Sequence, residues 1–136
     1  MNIRRSFELA LKKKKTDNWD KIYVLVDIHD TIFKASYYNK ETFEWFPYAK
    51  EALQVMSNRD DICLILWTSS YTEKIQMYIR QLADNGIHID MINDNTEVNN
   101  TTLSSFDKKP YFNVGIDDKF GFEPETDWEI LYNFLN

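Results

Sequence analysis

The chain has 136 residues, 43% hydrophobic and 15% aromatic, with 3 Gly and 3 Pro; that is enough apolar side chain for one packed domain and too few breakers for a linker-rich chain. No apolar run approaches the ~18 residues of a membrane-spanning helix, and the apolar piece between Arg5 and Lys12 is too short for a signal peptide. The formal net charge of −6 is uneven, with +3 on residues 1–20 and −9 on the remainder, so the body does not suit duplex DNA and does suit a site that gathers metal cations.

The single cysteine, Cys63, lies in the apolar run Ile62-Cys63-Leu64-Ile65-Leu66, so no internal disulfide is available and a buried thiol in a reducing, cytoplasmic compartment is expected. Residues 1–20 read as a basic N-terminal extension and 21–136 as the main domain. Within the extension, residues 3–15 fit a short amphipathic helix with Ile3, Phe7, Ala10 and Leu11 on one side. Its basic tip, Lys12 to Lys15, reads first as a solvated helix end and second as a patch for nucleic acid or a partner.

Ile22 to Asp27 is a strand, apolar until its final aspartate. Thr31 to Phe46 is aromatic and polar without clear periodicity, a loop or short hairpin. Pro47 opens a helix to Asn58, with Ala49, Leu53 and Met56 inward. Ile62 to Trp67 is a second continuous apolar strand, ending at Thr68-Ser69-Ser70. Ile75, Met77, Tyr78 and Leu82 mark a helix from Thr72 to Asn85, and Gly86 caps it. Ile87 to Ile92 is a third strand, Asn93 to Asp107 a polar loop, and Phe112 to Ile116 a fourth strand ending at Asp117-Asp118. Residues 126–135 form a closing helix with Trp128, Ile130, Leu131 and Phe134 as packing residues.

Strands alternating with helices predict an α/β fold: a Rossmann-like parallel sheet with helices on both faces. In such a sheet the strand carboxyl ends share one edge, so Asp27, Thr68 and Asp117 are expected in one crevice. Each residue alone has a plainer reading as a turn or helix-cap residue, and it is their joint placement that points to chemistry. A carboxylate can attack a phosphoryl group, a second carboxylate can help hold a divalent cation, and a threonine hydroxyl can donate to a phosphate oxygen.

The order Val26-Asp27-x-x-x-Thr31, Leu64-Ile65-Leu66-Trp67-Thr68-Ser69, a lysine, then Val114-Gly115-Ile116-Asp117-Asp118 is similar to the four motifs of the haloacid dehalogenase (HAD) superfamily of phosphohydrolases. The likeness spans residues 21–135, and Asp117-Asp118-Lys119-Phe120-Gly121-Phe122 followed by Asp127-Trp128 looks like the tail of short HAD-like hydrolases of bacteria and phages. The resemblance implies a Mg²⁺-dependent phosphomonoesterase located in the cytoplasm, the host's if the chain is phage-encoded. It implies Asp27 as nucleophile and metal ligand, the backbone carbonyl of His29 as a second ligand, and Asp117 as a third. Thr68 would be the phosphate-binding hydroxyl, with Ser69 beside it. The motif lysine would be Lys109, with Lys108 as the alternative, and Asp118 would orient that lysine or a metal-bound water.

Short spacings, Thr31 to Thr68 and 94–107, leave room for a minimal cap or none. An open site favours a large or extended substrate, possession of a nucleotide moiety being one option, or closure by a partner subunit in an oligomer. Aromatic residues Phe33, Tyr37, Tyr38, Phe43, Trp45 and Phe46 read as a hairpin packed on the core or as a flap able to stack on a base. The motif usually runs Asp-x-Asp-Gly-Thr, and here it is Asp27-Ile28-His29-Asp30-Thr31. His29 stands where the family has its acid/base, a role imidazole can fill. Asp30 stands where glycine lets the loop turn, and aspartate tolerates the left-handed conformation better than most residues. The alternative to an enzyme is a HAD-like domain that binds metal and a phosphorylated ligand or a protein without efficient turnover.

Overall fold

The computed structural model describes residues 2–34, 43–70, 72–97 and 111–136. Helix α1, Ile3–Thr16, starts where Asn2 accepts a hydrogen bond from the Arg5 N–H at 3.0 Å. Lys13, Lys14 and Lys15 fall in its last turn, where the helix dipole favours cations. Ile3, Phe7 and Ala10, spaced along one stripe, join the main core.

Strand β1, Ile22–Asp27, and strand β2, Ile62–Trp67, pair in parallel over their full length, from Ile22 beside Ile62 to Asp27 beside Trp67. Between them runs α2, Ala49–Ser57, and after β2 comes α3, Thr72–Asp84. Strand β3, Met91–Ile92, pairs with β2, and β4, Val114–Ile116, pairs with β1, giving the all-parallel order β3-β2-β1-β4. Helix α4, Asp127–Leu135, closes the chain against α1 and α2. The fold is therefore α/β and Rossmann-like, a parallel sheet flanked by helices.

The strands' alternation splits the core in two. Ile22, Val24 and Val26 of β1 and Ile62, Leu64 and Leu66 of β2 face one cluster, which also takes buried residues from all four helices. Tyr23, Leu25, Cys63 and Ile65 face the other side, where among the described residues Trp67, Met91, Tyr111 and Phe112 cover them. Cys63 is buried as expected, and burial pushes its thiol up to about 12, so it stays protonated. No helix among the described residues is long and apolar enough to cross a membrane.

Three boundaries differ from the sequence reading by more than one residue. The third strand is only Met91–Ile92, because the chain first reaches β2 where the Asp90 N–H donates to the Leu64 carbonyl at 3.0 Å. Asp90 Oδ2 also accepts from the Leu64 N–H at 2.8 Å, so a side chain stands in for a strand carbonyl there. The fourth strand begins at Val114 rather than Phe112, with Asn113 Oδ1 accepting from the Tyr23 N–H at 2.8 Å. Helix α2 begins at Ala49 rather than Pro47, since Tyr48 between them has φ 64°, outside the helical region. Gly86 does close α3, at φ 75°, with the Ile87 N–H reaching back to the Leu82 carbonyl at 3.0 Å.

The described ends of the 31–46 segment pair as a short antiparallel hairpin, with Phe33 beside Trp45 and the Lys34 N–H donating to the Glu44 carbonyl at 2.9 Å. Phe33 and Phe46 are buried, and Phe43 and Trp45 pack against the same cluster, so these aromatics serve the core. Tyr37 and Tyr38 lie outside the described residues.

Candidate active site

Register places the strand ends in one row. Asp27 ends β1 beside Trp67 of β2; Val26 pairs with Ile116, which sets Asp117 level with Asp27; Leu66 pairs with Ile92, which sets Asn93 at the same edge. A cleft of about 450 Å³ opens there, lined by Asp27, Trp67, Thr68, Ser69, Asn93, Asp117 and Lys119. A crevice at the carboxyl edge of a parallel sheet is where such folds bind ligands.

Asp27, Asp117 and Asp118 each bring a carboxylate oxygen within 4.8 Å of the others. Burial, the charge of Asp117 and then that of Asp118 push the Asp27 carboxyl up to about 6, against the opposing pull of the Ile28 N–H and Lys119. Burial and a shared hydrogen bond with Asp117 also raise Asp118.

The Thr31 hydroxyl lies 3.4 Å from both Asp27 Oδ2 and Asp118 Oδ1 and accepts from the Asp118 N–H at 3.2 Å. It has one proton, so it donates to one carboxylate at a time. Thr31 is itself buried, and the Trp128 indole N–H holds its carbonyl at 2.8 Å. Asp117 is buried and accepts from the Lys119 N–H at 2.9 Å, which turns the chain into the 3₁₀ segment Asp118–Phe120. Gly115 of β4 allows that segment to fold back, since a Cβ there would stand 2.8 Å from the Phe120 ring.

On the other side of the cleft, the Thr68 hydroxyl donates to Ser70 Oγ at 3.0 Å and accepts from the Ser70 N–H at 3.2 Å. Asp30 adopts φ 56°, the left-handed turn anticipated for it, and its N–H donates to the Phe33 carbonyl at 2.8 Å. His29 is exposed and is not among the residues lining the cleft; its Nε2 is 2.9 Å from the Tyr78 hydroxyl.

The structure thus brings Asp27, Thr68, Ser69 and Asp117 together, with the Asp118 carboxylate beside those of Asp27 and Asp117. Lys109 and Lys108 lie outside the described residues. Sequence reasoning gave no role at the site to Asn93, Lys119, Tyr78 or Trp128. Asn93 opens the polar loop after the third strand and reads as a loop residue, and Lys119 adjoins the acidic pair; Tyr78 and Trp128 looked like ordinary inward helix residues.

Fold and cleft together define an α/β protein with an acidic, oxygen-rich crevice at the carboxyl edge of its sheet. Among solved structures the chain is similar to one from Bacteroides thetaiotaomicron, described as a conserved protein coded by a locus of that organism, with 25% identity, a TM-score of 0.65, and 83% of this chain and 88% of that chain covered. No protein-family model and no curated protein matches the chain.

Proposed function

We propose that the chain is a Mg²⁺-dependent phosphohydrolase, a phosphomonoesterase of nucleotide-type esters, with Asp27 as its nucleophile. The observation that carries this reading is the convergence of the Asp27, Asp117 and Asp118 carboxylates within 4.8 Å, in a cleft that also presents Thr68 and Lys119. The donor set fits a hard cation: it is all oxygen, and burial together with the Asp117 charge pushes Asp27 up to about 6, a penalty on its charged form that a bound divalent ion relieves. Asp27 and Asp117 would hold Mg²⁺, with the His29 carbonyl as the ligand the motif implies; the ion would supply neutralisation of phosphate charge.

The chain's own residues carry the rest. The Asp27 carboxylate attacks phosphorus as the ester P–O bond breaks, which leaves a phosphoryl group on Asp27. Thr68, with Ser69 beside it, donates to the phosphoryl oxygens, and Lys119, alongside the motif lysine expected at Lys109, offsets their charge. His29 protonates the departing oxygen and then takes a proton from the water that frees Asp27.

A second reading has its own observation. The His29 imidazole is engaged by Tyr78 at 2.9 Å rather than by a cleft residue. On that reading the chain binds a cation and a phosphorylated ligand without turnover. Hydrolysis of an aryl phosphate with and without Mg²⁺, from acidic to alkaline pH, separates the two. The first reading expects Mg²⁺-dependent hydrolysis that Asp27→Asn abolishes. Calorimetric binding of Mg²⁺ and phosphate, with hydrolysis no greater than that of Asp27→Asn, would establish the second.

A further inference from the structure

The end of β3 delivers to the cleft a side chain that the reaction above does not use. Asn93 follows Ile92 directly and has φ 54°, in the left-handed region that asparagine tolerates better than most residues. Its own N–H donates to the Leu66 carbonyl at 2.8 Å, which fixes it against the end of β2. From there the carboxamide closes on both backbone groups of Thr68: Oδ1 accepts from the Thr68 N–H at 2.8 Å, and Nδ2 donates to the Thr68 carbonyl at 2.9 Å. A side chain thus extends the sheet's hydrogen bonding by one residue past the last backbone pair.

This clamp needs a carboxamide. Only asparagine and glutamine carry an acceptor and a donor side by side, and the shorter of the two also suits the left-handed backbone. Aspartate would set a second oxygen against the Thr68 carbonyl. Thr68 is 8% exposed and its hydroxyl is tied to Ser70, so the orientation of the hydroxyl follows the backbone that Asn93 holds.

We infer that Asn93 is the positioning residue of the phosphate subsite. It fixes the Thr68 backbone, and with it the position of the hydroxyl oxygen, so that only the O–H bond turns from Ser70 to meet an incoming phosphate, the preorganisation that makes a donor effective. The inference rests on the reading of Thr68 as the phosphate-binding hydroxyl. Asn93 acts through Thr68, both of its polar groups being occupied there.

The test compares Asn93→Gly, Asn93→Ala and Thr68→Val with the wild-type chain. Inorganic phosphate is titrated into each Mg²⁺-loaded protein, and exchange of the Thr68 amide is measured in the metal-free proteins. Glycine removes the clamp and accepts the left-handed backbone; alanine removes the clamp and leaves that backbone strained. Both are expected to weaken phosphate binding roughly three- to tenfold, the scale of one or two lost hydrogen bonds, and to speed Thr68 amide exchange. Wild-type affinity and Thr68 protection in Asn93→Gly, with loss confined to Asn93→Ala, would trace the effect to backbone strain and overturn the inference. Weakened phosphate binding in Thr68→Val but not in Asn93→Gly would overturn the inference and leave the subsite standing. Unchanged affinity in Thr68→Val would remove the subsite itself, and the inference with it.

Discussion

His29 Nε2 and the Tyr78 hydroxyl lie 2.9 Å apart, with the two rings edge to face at 5.3 Å. Tyr78 is buried and also stacks on Phe33, so it is the fixed member of the pair and His29, at the surface, is the member it orients. A double-mutant cycle over Tyr78→Phe and His29→Ala is expected to give a coupling of about 0.5–1.5 kcal/mol in urea unfolding, the net value of one hydrogen bond. Additive effects would show that the contact contributes nothing in solution. If His29 transfers protons, His29→Ala also lowers kcat roughly 10²- to 10⁴-fold while phosphate binding persists; equal kcat in the two proteins would count against that role.

Asp27 makes the metal-free site a stability liability with a definite pH signature. Its carboxyl in the folded protein is pushed up to about 6 by burial and by Asp117, above the ~3.9 of an unfolded aspartate. Between those values the folded state binds more protons than the unfolded one, so stability falls as pH rises through the window, and the full penalty is present above about pH 6. In chelator-treated protein, Asp27→Asn is therefore expected to stabilise the fold above about pH 6, by on the order of 1–2 kcal/mol after solvent screening and with a matching rise in Tm, and to be nearly neutral below about pH 4. Calorimetric melts across that range check it; a variant that melts below wild type at the higher pH would show that the carboxylates do not repel.

Mg²⁺ should reverse the same penalty. A cation that binds only the folded state stabilises it by about 2.7 kcal/mol at a hundredfold excess over Kd. The rise in Tm on adding Mg²⁺ is expected to shrink as pH drops below about 6, because the proton on Asp27 competes with the ion. Asp117→Asn should remove most of the rise, since Asp117 is the buried member of the triad. A rise of equal size in Asp117→Asn would place the ion elsewhere.

The fold and half of the site were written in local pattern. The apolar runs Ile22–Val26 and Ile62–Leu66 exist because their residues are covered on both faces, and a run of that kind marks a strand without help from the rest of the chain. Asp27, Thr68 and Asp117 were legible because each interrupts such a run, and parallel pairing alone carries strand ends to one edge. What the sequence did not show are contacts made across distance. The length of β3 depends on Asp90 turning its side chain into the β2 ladder. Asn93 reads as a loop residue until Thr68 is placed beside it. Tyr78 fits a helical stripe equally well whether or not its hydroxyl meets His29, 49 positions away.

Trp128 belongs to the same class, 97 positions from the loop it holds. Its indole is fully buried, lies edge to face with Phe122 at 4.9 Å, and donates to the Thr31 carbonyl at 2.8 Å. Through that bond α4 fixes Thr31, whose hydroxyl accepts from the Asp118 N–H and lies 3.4 Å from both Asp27 and Asp118. Trp128→Phe keeps an aromatic ring but loses the N–H and some volume, so it leaves a buried carbonyl short of a donor beside a small cavity. The expected cost is about 2–3 kcal/mol in denaturant unfolding. Mg²⁺ affinity should fall along with stability, because the Thr31 hydroxyl is no longer held between the two carboxylates. Thr31→Ser, which retains the hydroxyl, should keep Mg²⁺ affinity near wild type, whereas Thr31→Val should lower it. A Trp128→Phe protein that loses stability but binds Mg²⁺ as tightly as wild type would confine the indole to packing and separate the closing helix from the acidic cleft.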